Sequence, residues 1–152
     1  MTGYVIPEGR IQISLSGGRT SAYMLHQILE ANGSLPERVQ VLFANTGREM
    51  PQTIDFVQEM ASRWNVSITW LEYDRIDNQV SYKVVNHNSC SMKGEPFEKL
   101  VYSKQYLPNV MTRFCTEELK VRTMKRYLVN ELEWKQWSSA VGIRHDEQHR
   151  WR

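Results

Sequence analysis

The chain has 152 residues with 19 basic and 17 acidic side chains, and its formal net charge of +2 argues neither for nor against a polyanionic partner. Hydrophobic residues make up 41% and charged residues 24%, as in ordinary soluble globular proteins. No run approaches the ~18 apolar residues of a membrane span, and the N-terminus does not read as a signal peptide. We expect one domain over residues 1–152, cytoplasmic and without a membrane partner.

The first half of the chain alternates between strand and helix patterns. Apolar residues alternate at 11–15, recur at helical spacing over 19–31, and form a continuous run at 39–45. Pro51 suits the first turn of a second helix, and a third strand is predicted at 66–73. Such alternation predicts a three-layer α/β sandwich with a parallel sheet, right-handed crossovers and helices packed on the sheet.

The second half is less regular. Residues 74–110 read as an irregular insertion, with a short helix at about 97–102, and insertions of this length are more often functional than idle. A third helix is predicted at 116–131 and a fourth strand at 137–143. The expected buried side of the third helix carries Val121, Met124, Leu128 and Leu132.

The segment "SGGRTS", residues 16–21 and here called the glycine loop, joins the first strand to the first helix. Ligands of open α/β sheets bind outside the carboxyl ends of the strands. A helix that begins there offers unpaired N–H groups and the positive end of its dipole. Two glycines, three hydroxyls and one arginine therefore indicate an anion cradle. The alternative is a tight turn capped by a hydroxyl, and the loop matches neither a Walker A nor a G-x-G-x-x-G fingerprint.

Four motifs, in this order, carry a resemblance to a known family. They are "SGGRTS" after the first strand, "FANTGREMPQTIDFV" after the second, "RFCTEELKV" opening the third helix and "VGIRHDEQHR" after the fourth strand. Together they resemble the PP-loop ATP pyrophosphatase superfamily, and within it the phosphoadenosine phosphosulfate (PAPS) reductase-like proteins. The resemblance implies an adenine nucleotide alpha hydrolase-like fold, which is Rossmann-like, and a link to sulfur metabolism.

The resemblance also implies roles for the matching residues. The β and γ phosphates of ATP, or the phosphosulfate of PAPS, would be held by Ser16, Gly17, Gly18, Arg19, Thr20 and Ser21. The adenine and ribose would lie near Phe43, Ala44, Asn45 and Thr46, beside a turn shaped by Gly47 and Glu49. Arg113 would join the nucleotide-binding residues, and the catalytic residues would be Arg19, Lys120, Arg144 and Cys115.

Two departures from the family pattern bear on chemistry. Many ATP-cleaving members read SGGKDS, whereas this chain has Arg19 and Thr20, which keeps the positive charge and loses a carboxylate that would help to place Mg²⁺. We still expect Mg²⁺ with the nucleotide, through unknown ligands. The Glu-Cys-Gly-x-His motif of true PAPS reductases is absent from these 152 residues. This argues against thiol-dependent reduction by these residues alone and suggests a short or truncated member.

Several residue patterns have two interpretations. Cys115, at a helix start beside Arg113, is either a thiol of lowered pKa or a buried small side chain, and with only Cys90 besides it no iron–sulfur cluster is expected. "HDEQH" superficially resembles a zinc motif. The preferred interpretation is that Arg144 and Arg150 face phosphate. Asp146 or Glu147 are further candidates for binding Mg²⁺. Core packing is preferred to base stacking for Trp134, Trp137 and Trp151.

The sequence therefore predicts a PAPS reductase-like enzyme that binds ATP or PAPS. It would act by α/β cleavage with adenylation of an unknown acceptor, or by sulfonucleotide chemistry. A nucleotide-sensing or partner-binding protein without turnover is the alternative. A nucleic-acid base-modifying enzyme is a weaker one, since the charge pattern gives little support to a nucleic-acid partner. The oligomeric state stays open, a homo-oligomer included.

Overall fold

The structure is a computed structural model that describes residues 6, 8–47, 50–77, 79–96, 98–99 and 117–141. Its strands are β1 (Ile11–Leu15), β2 (Val39–Asn45), β3 (Ile68–Ile76), β4 (Gln79–Val85) and β5 (Ser138–Val141). Its helices are α1 (Arg19–Asn32), α2 (Pro51–Arg63) and α3, which combines the consecutive helical segments Glu117–Arg122, Thr123–Arg126 and Tyr127–Glu131. The predicted strand and helix order is therefore observed, with one further strand.

The five strands form one mostly parallel sheet in the order β4-β3-β2-β1-β5. β1 pairs in parallel with β2 on one side and with β5 on the other, and β2 pairs in parallel with β3. Because parallel strands end at the same edge, Leu15, Asn45 and Val141 bring their chain segments together at the carboxyl edge of the sheet. The α/β fold class predicted from the sequence is confirmed.

Two hydrophobic clusters cover the two faces of the sheet. One cluster joins β1, β2 and β3 to α1 and α2, through residues such as Ile13, Leu25 and Val57. The other joins the opposite side chains of β2 and β3 to α3, through Leu42 and Leu128 among others. Because side chains alternate between the faces of a strand, neighbouring residues such as Leu42 and Phe43 belong to different clusters. This gives the predicted three layers.

The expected irregular insertion begins with regular structure instead. β3 continues to Ile76, three residues beyond its predicted end, and Asp77 turns the chain with a positive φ of 53°. β4 then returns antiparallel to β3, with Tyr82 opposite Tyr73. A helical turn begins at Glu95, and most of the helix expected at 97–102 lies outside the described residues.

The side of α3 that packs on the sheet was predicted in part. Met124 and Leu128 are buried as expected, and Leu132 is half-buried. Val121 is 60% exposed, so its assignment to the buried side was wrong, and Leu119 and Tyr127 are buried in addition. Tyr127 lies three residues after Met124, on the same side of the helix. Leu119 lies five residues before Met124, which is about one turn of the wider π-helical segment Glu117–Arg122, so it returns to that side whereas Val121 lies on the outer side.

Two of the tryptophans with open interpretations are packed against protein. Trp134 is 6% exposed, with the Arg10 guanidinium 5.6 Å from its ring centroid. Trp137 donates its ring N–H to Gln12 Oε1 at 2.9 Å. Core packing is thus confirmed for both, and Trp151 lies outside the described residues. None of the helices in the described part of the chain is long and apolar enough to cross a bilayer.

Candidate functional site at the carboxyl edge

The glycine loop lies where the order of the strands reverses. β1 has β2 on one side and β5 on the other. Its following helix, α1, covers one face of the sheet, whereas α3, which precedes β5, covers the opposite face. This is the topological switch point, outside which open α/β sheets bind their ligands. The loop predicted to hold phosphate thus occupies the position that the architecture favours for a ligand.

Two serine hydroxyls hold the glycine loop together from within. Ser21 Oγ accepts from Ser16 N at 3.1 Å, lies 3.1 Å from Ser16 Oγ and 3.2 Å from Gly18 O, to which it can donate. Gly18 N donates to Ser16 Oγ at 3.3 Å. Ser21 is 2% exposed, so its hydroxyl shapes the loop and is not open to a ligand as the structure stands.

The outer side of the same loop is open. Ser16, Gly18, Arg19 and Thr20 are exposed, and Arg19 forms none of the ion pairs found among the described residues. α1 begins at Arg19 with Gly18 as its N-cap, without a side-chain cap and without an acidic residue in its first turn. The first amides of a helix have no intrahelical acceptor, and the helix dipole is positive at that end. The loop therefore presents donors and one cationic side chain to solvent.

The two glycines of the loop have different reasons to be glycine. Gly17 is buried with φ +85°, and a Cβ there would collide with Thr53 Cγ2 at the start of α2. Gly18 has an ordinary φ of −98°, and a Cβ there would meet only Ser16 Oγ at 3.5 Å. Gly17 is thus required by packing within the protein, whereas Gly18 leaves open space above the loop.

Beside the glycine loop lies the segment "NTG", residues 45–47 and here called the NTG turn. The residues that lead into it are closed off from solvent: Phe43 and Asn45 are fully buried and Ala44 is 1% exposed. Phe43 packs edge-on against Trp70, with ring centroids 5.1 Å apart. Thr46 is half-buried, and it is the residue here whose side chain solvent reaches. The predicted adenine and ribose contacts at this edge stay predictions.

Asn45 contacts a buried carboxylate that sequence reasoning missed. Glu72 is fully buried and is the register partner of Asn45 across β2 and β3. Its carboxylate accepts hydrogen bonds from Asn45 Nδ2 at 2.8 Å, Ser91 N at 2.6 Å and Ser91 Oγ at 2.8 Å. Lys83 Nζ lies 3.7 Å from the same group. The one signal in the sequence is a charged residue at a core position of the run "ITWLEY", on the same face as Trp70.

The segment after β4 folds over the NTG turn. Gly94 N donates to Gly47 O at 2.9 Å, and a Cβ on Gly47 would lie 2.8 Å from Gly94 Cα. On the same segment His87 contacts Asp55 of α2 at 2.8 Å. Burial, and then the negative charge of Glu72, raise the pKa of the Cys90 thiol, so it is a poor nucleophile near neutral pH.

The structure describes only part of the predicted catalytic set. Lys120 lies in the first turns of α3 and is half-buried. α3 ends shortly before Ser138, which pairs with Ile11 at the amino edge, so the helix starts towards the carboxyl edge where the glycine loop lies. Four predicted site residues lie outside the described residues: Glu49, Arg113, Cys115 and Arg144. The charged and histidine residues of "HDEQH" do so too.

The described residues give no protein cage for Mg²⁺. They contain no group of three or more His, Cys, Asp or Glu side chains that could hold a metal ion. The glycine loop itself offers hydroxyls, from Ser16 and Thr20, and no carboxylate. Mg²⁺ commonly binds through one or two carboxylates together with substrate phosphates. The loop alone therefore does not fit a protein-held Mg²⁺.

A groove of about 560 Å³ lies at the opposite edge of the sheet. It is lined by the starts of β2 and β3 and by the ends of α1 and α2, including Val39, Thr69, Leu29 and Trp64. It faces the amino ends of the parallel strands, and its described lining includes neither a helix N-terminus nor a predicted site residue. Its size alone does not make it the site.

Comparison with known proteins agrees with the geometry. The phosphoadenosine phosphosulfate reductase domain matches residues 10–152. The chain is also 31% identical, over 141 residues, to "Uncharacterized nin region protein ORF290" of Escherichia phage lambda. That match covers 89% of this chain and 48% of the phage protein, so the chain spans about half the length of this relative. The chain belongs to the phosphoadenosine phosphosulfate reductase domain family, within the PP-loop ATP pyrophosphatase superfamily of adenine nucleotide alpha hydrolase-like folds.

Proposed function

We propose that the chain binds an adenine nucleotide, ATP or PAPS, with its phosphates on the glycine loop, and acts at those phosphates. The observation that carries this proposal is the asymmetry of the loop. Its inner side is held by Ser21, whereas its outer side exposes Gly18, Arg19 and Thr20 at the positive end of α1. An anion with several oxygens complements such a surface.

The proposed chemistry depends on cations beside the phosphates. In α/β cleavage an acceptor oxygen or nitrogen attacks the α phosphorus, the bond to the bridging oxygen breaks, and pyrophosphate leaves as the acceptor becomes adenylated. Negative charge builds on the leaving pyrophosphate, and Arg19, exposed at the start of α1, is a described cation that would stabilise it. Lys120, and Arg144 beyond the described residues, are the further candidates. With PAPS, the same surface would hold the phosphosulfate.

Isothermal titration with ATP, AMP and PAPS tests the proposal. If the loop binds the β and γ phosphates, ATP binds more tightly than AMP by about tenfold or more, because AMP lacks both groups. Arg19→Ala should lower the affinity for ATP and leave the affinity for AMP nearly unchanged. Arg63→Ala serves as the matched control, because Arg63 is an exposed arginine of α2 that pairs with Glu59. Folded protein that binds none of the three nucleotides would end the proposal.

A binding protein without turnover is the second candidate. Thr20 favours it, because this exposed position carries a hydroxyl where many ATP-cleaving members have a carboxylate. Pyrophosphate release, measured with ATP and Mg²⁺ in the presence of candidate acceptors, separates the two. Tight binding without release supports the binding protein, and release that Arg19→Ala abolishes supports the enzyme.

A further inference from the structure

Glu72 combines full burial with a place at the carboxyl edge of the sheet. It forms the last parallel register pair between β2 and β3, with Asn45, and it also lies opposite Lys83 of the antiparallel β4. Three hydrogen-bond donors and the Lys83 ammonium face its two oxygens. A carboxylate that accepts charge-assisted bonds of 2.6 to 2.8 Å is held in a fixed orientation.

A buried carboxylate is not the side chain expected to give this position the greatest stability. Replacing a buried ionic group with an apolar side chain of similar volume is often neutral or stabilising. Trp70 and Phe43 lie on the same face and show that apolar packing continues up to this point. Packing alone therefore does not account for Glu72, and the groups that it orients indicate what it does.

Through Asn45, the carboxylate fixes the NTG turn. Both hydrogens of the Asn45 amide are used, one by Glu72 Oε2 and one by Ser91 O, each at 2.8 Å. The amide oxygen therefore has one orientation, and it accepts from Gly47 N at 3.2 Å. Reversing the amide would set its oxygen against two acceptors. Glu72 thus determines where the Gly47 backbone lies.

Through Ser91, the carboxylate fixes the segment that covers the turn. Both the backbone N–H and the hydroxyl of Ser91 donate to Glu72. Three residues further on, Gly94 donates to Gly47 O and packs against it backbone to backbone. The turn is therefore held from two sides by groups that converge on one carboxylate.

We propose that Glu72 is a positioning residue that holds the NTG turn and the segment 91–94 as a preformed wall beside the glycine loop, where the nucleoside part of the ligand binds. The proposal rests on the proposed function, because it assigns this wall to the nucleotide site. Glu72 itself is fully buried and does not touch the ligand. It acts by removing the need to order the turn when the ligand arrives.

The test compares two ligands on two variants. Inorganic pyrophosphate reports on the glycine loop alone, whereas ATP reports on the loop and the wall together. Glu72→Met keeps the volume and removes the acceptors, and Glu72→Gln keeps the shape but sets an NH₂ group against a donor. Val39→Ala is the matched control, because Val39 is 6% exposed and lies on the same strand as Asn45, at the opposite end.

In Glu72→Met we expect ATP affinity to fall by about tenfold or more while pyrophosphate affinity stays within about twofold, since only the preformed wall is lost. Glu72→Gln should show a smaller loss, and Val39→Ala should leave the ratio of the two affinities unchanged. Amide hydrogen exchange of Gly47 and Ser91 should accelerate in Glu72→Met and not in Val39→Ala.

Two results would overturn the proposal. In one, the affinities for ATP and pyrophosphate fall by the same factor and the melting temperature falls as well, as expected if the substitution only destabilises the fold. In the other, the exchange of Gly47 and Ser91 stays at the wild-type rate in Glu72→Met. If the wild-type protein binds neither ligand, the proposed function fails, and the exchange measurement still decides whether Glu72 fixes the turn.

Discussion

The glycine loop and the NTG turn lie side by side at one edge of the sheet, and their polar groups are used in opposite ways. In the loop, the inner hydroxyl of Ser21 is committed to the fold while Arg19 and Thr20 face solvent. In the turn, Asn45 is fully buried with both amide hydrogens bonded. Two neighbouring polar segments can thus use their donors differently: one presents them to solvent, and the other keeps them in hydrogen bonds that fix its shape.

Gly47→Ala should have the largest effect on stability. Its φ of +85° strains any L side chain, and the new Cβ would collide with the backbone of Gly94, so we expect a loss of about 3 kcal/mol in the free energy of unfolding. Gly33→Ala is the control, because Gly33 has a similar φ of +79° with nothing within 4 Å. It should lose only about 1 kcal/mol. Urea denaturation measures both, and equal losses would contradict the closed packing of the turn.

Gly18→Val should have the largest effect on the open side. The side chain would fill the space above the loop, so ATP affinity should fall by about 100-fold, or about 2.7 kcal/mol. Stability should change by less than about 1 kcal/mol, because Gly18 has an ordinary φ and a Cβ there meets only Ser16 Oγ. Titration and thermal melting on the same sample check this. Parallel losses in affinity and melting temperature would favour the simple-turn interpretation.

Asp74→Asn tests the ion pair beyond the turn and should give a smaller effect that depends on pH. Burial would raise the pKa of Asp74, but the hydrogen bonds from Lys99 and Arg75 N and the charges of Lys99 and Lys83 outweigh it and lower this pKa. A lowered carboxyl pKa contributes stability above the unfolded value of about 3.9 and loses it as pH falls through the folded value. Since Lys99 is 41% exposed, the contribution at neutral pH should be about 0.5 to 1 kcal/mol.

Unfolding titrations between pH 2 and pH 7 measure the Asp74 effect. The difference between wild type and Asp74→Asn should be constant above about pH 5 and shrink below about pH 4. Lys99→Met should lower stability at neutral pH in the same way, and the double variant should lose no more than either alone. A difference that persists at the lowest pH would show that the ion pair is not its source.

The smallest effect concerns Cys90, whose raised pKa reflects burial and then the charge of Glu72. In a Cys115→Ser background, iodoacetamide should modify Cys90 more slowly than it modifies free cysteine at pH 8, because less thiolate is present. Glu72→Gln should speed the reaction by removing the nearby charge. The reverse background, Cys90→Ser, distinguishes the two interpretations of Cys115, a thiol of lowered pKa or a buried small side chain. A fast reaction of Cys90 in the folded Cys115→Ser variant would contradict its assigned environment.

Much of the fold could be predicted because its signals are local. The 3.6-residue spacing of Ala22, Leu25 and Ile28 defines α1, and Pro51 at the first position starts α2. The place of the glycine loop follows from the strand–loop–helix order and the rule for carboxyl edges. The family resemblance added the residues of the loop to this framework.

Two parts were missed for different reasons. β4 carried a local signal, because Val80, Tyr82 and Val84 alternate with Ser81 and Lys83 as in a half-buried strand, but it was interpreted as part of the irregular insertion. Its turn did carry a signal, since Asp77 belongs to a residue type that tolerates positive φ. Glu72 could not be assigned a role, because its partners Asn45 and Ser91 lie 27 and 19 residues away.

The backbone contact between Gly47 and Gly94 makes two separate stretches of sequence interdependent. A protein engineer who shortened the chain after β4 would remove more than a surface connection, since Ser91 supplies two of the hydrogen-bond donors that stabilise the Glu72 carboxylate. Deleting residues 88–94 should therefore leave the Glu72 carboxylate without both of its Ser91 hydrogen-bond donors. Moving this turn into another protein would therefore require the NTG turn, Glu72 and the segment 91–94 to be transferred together.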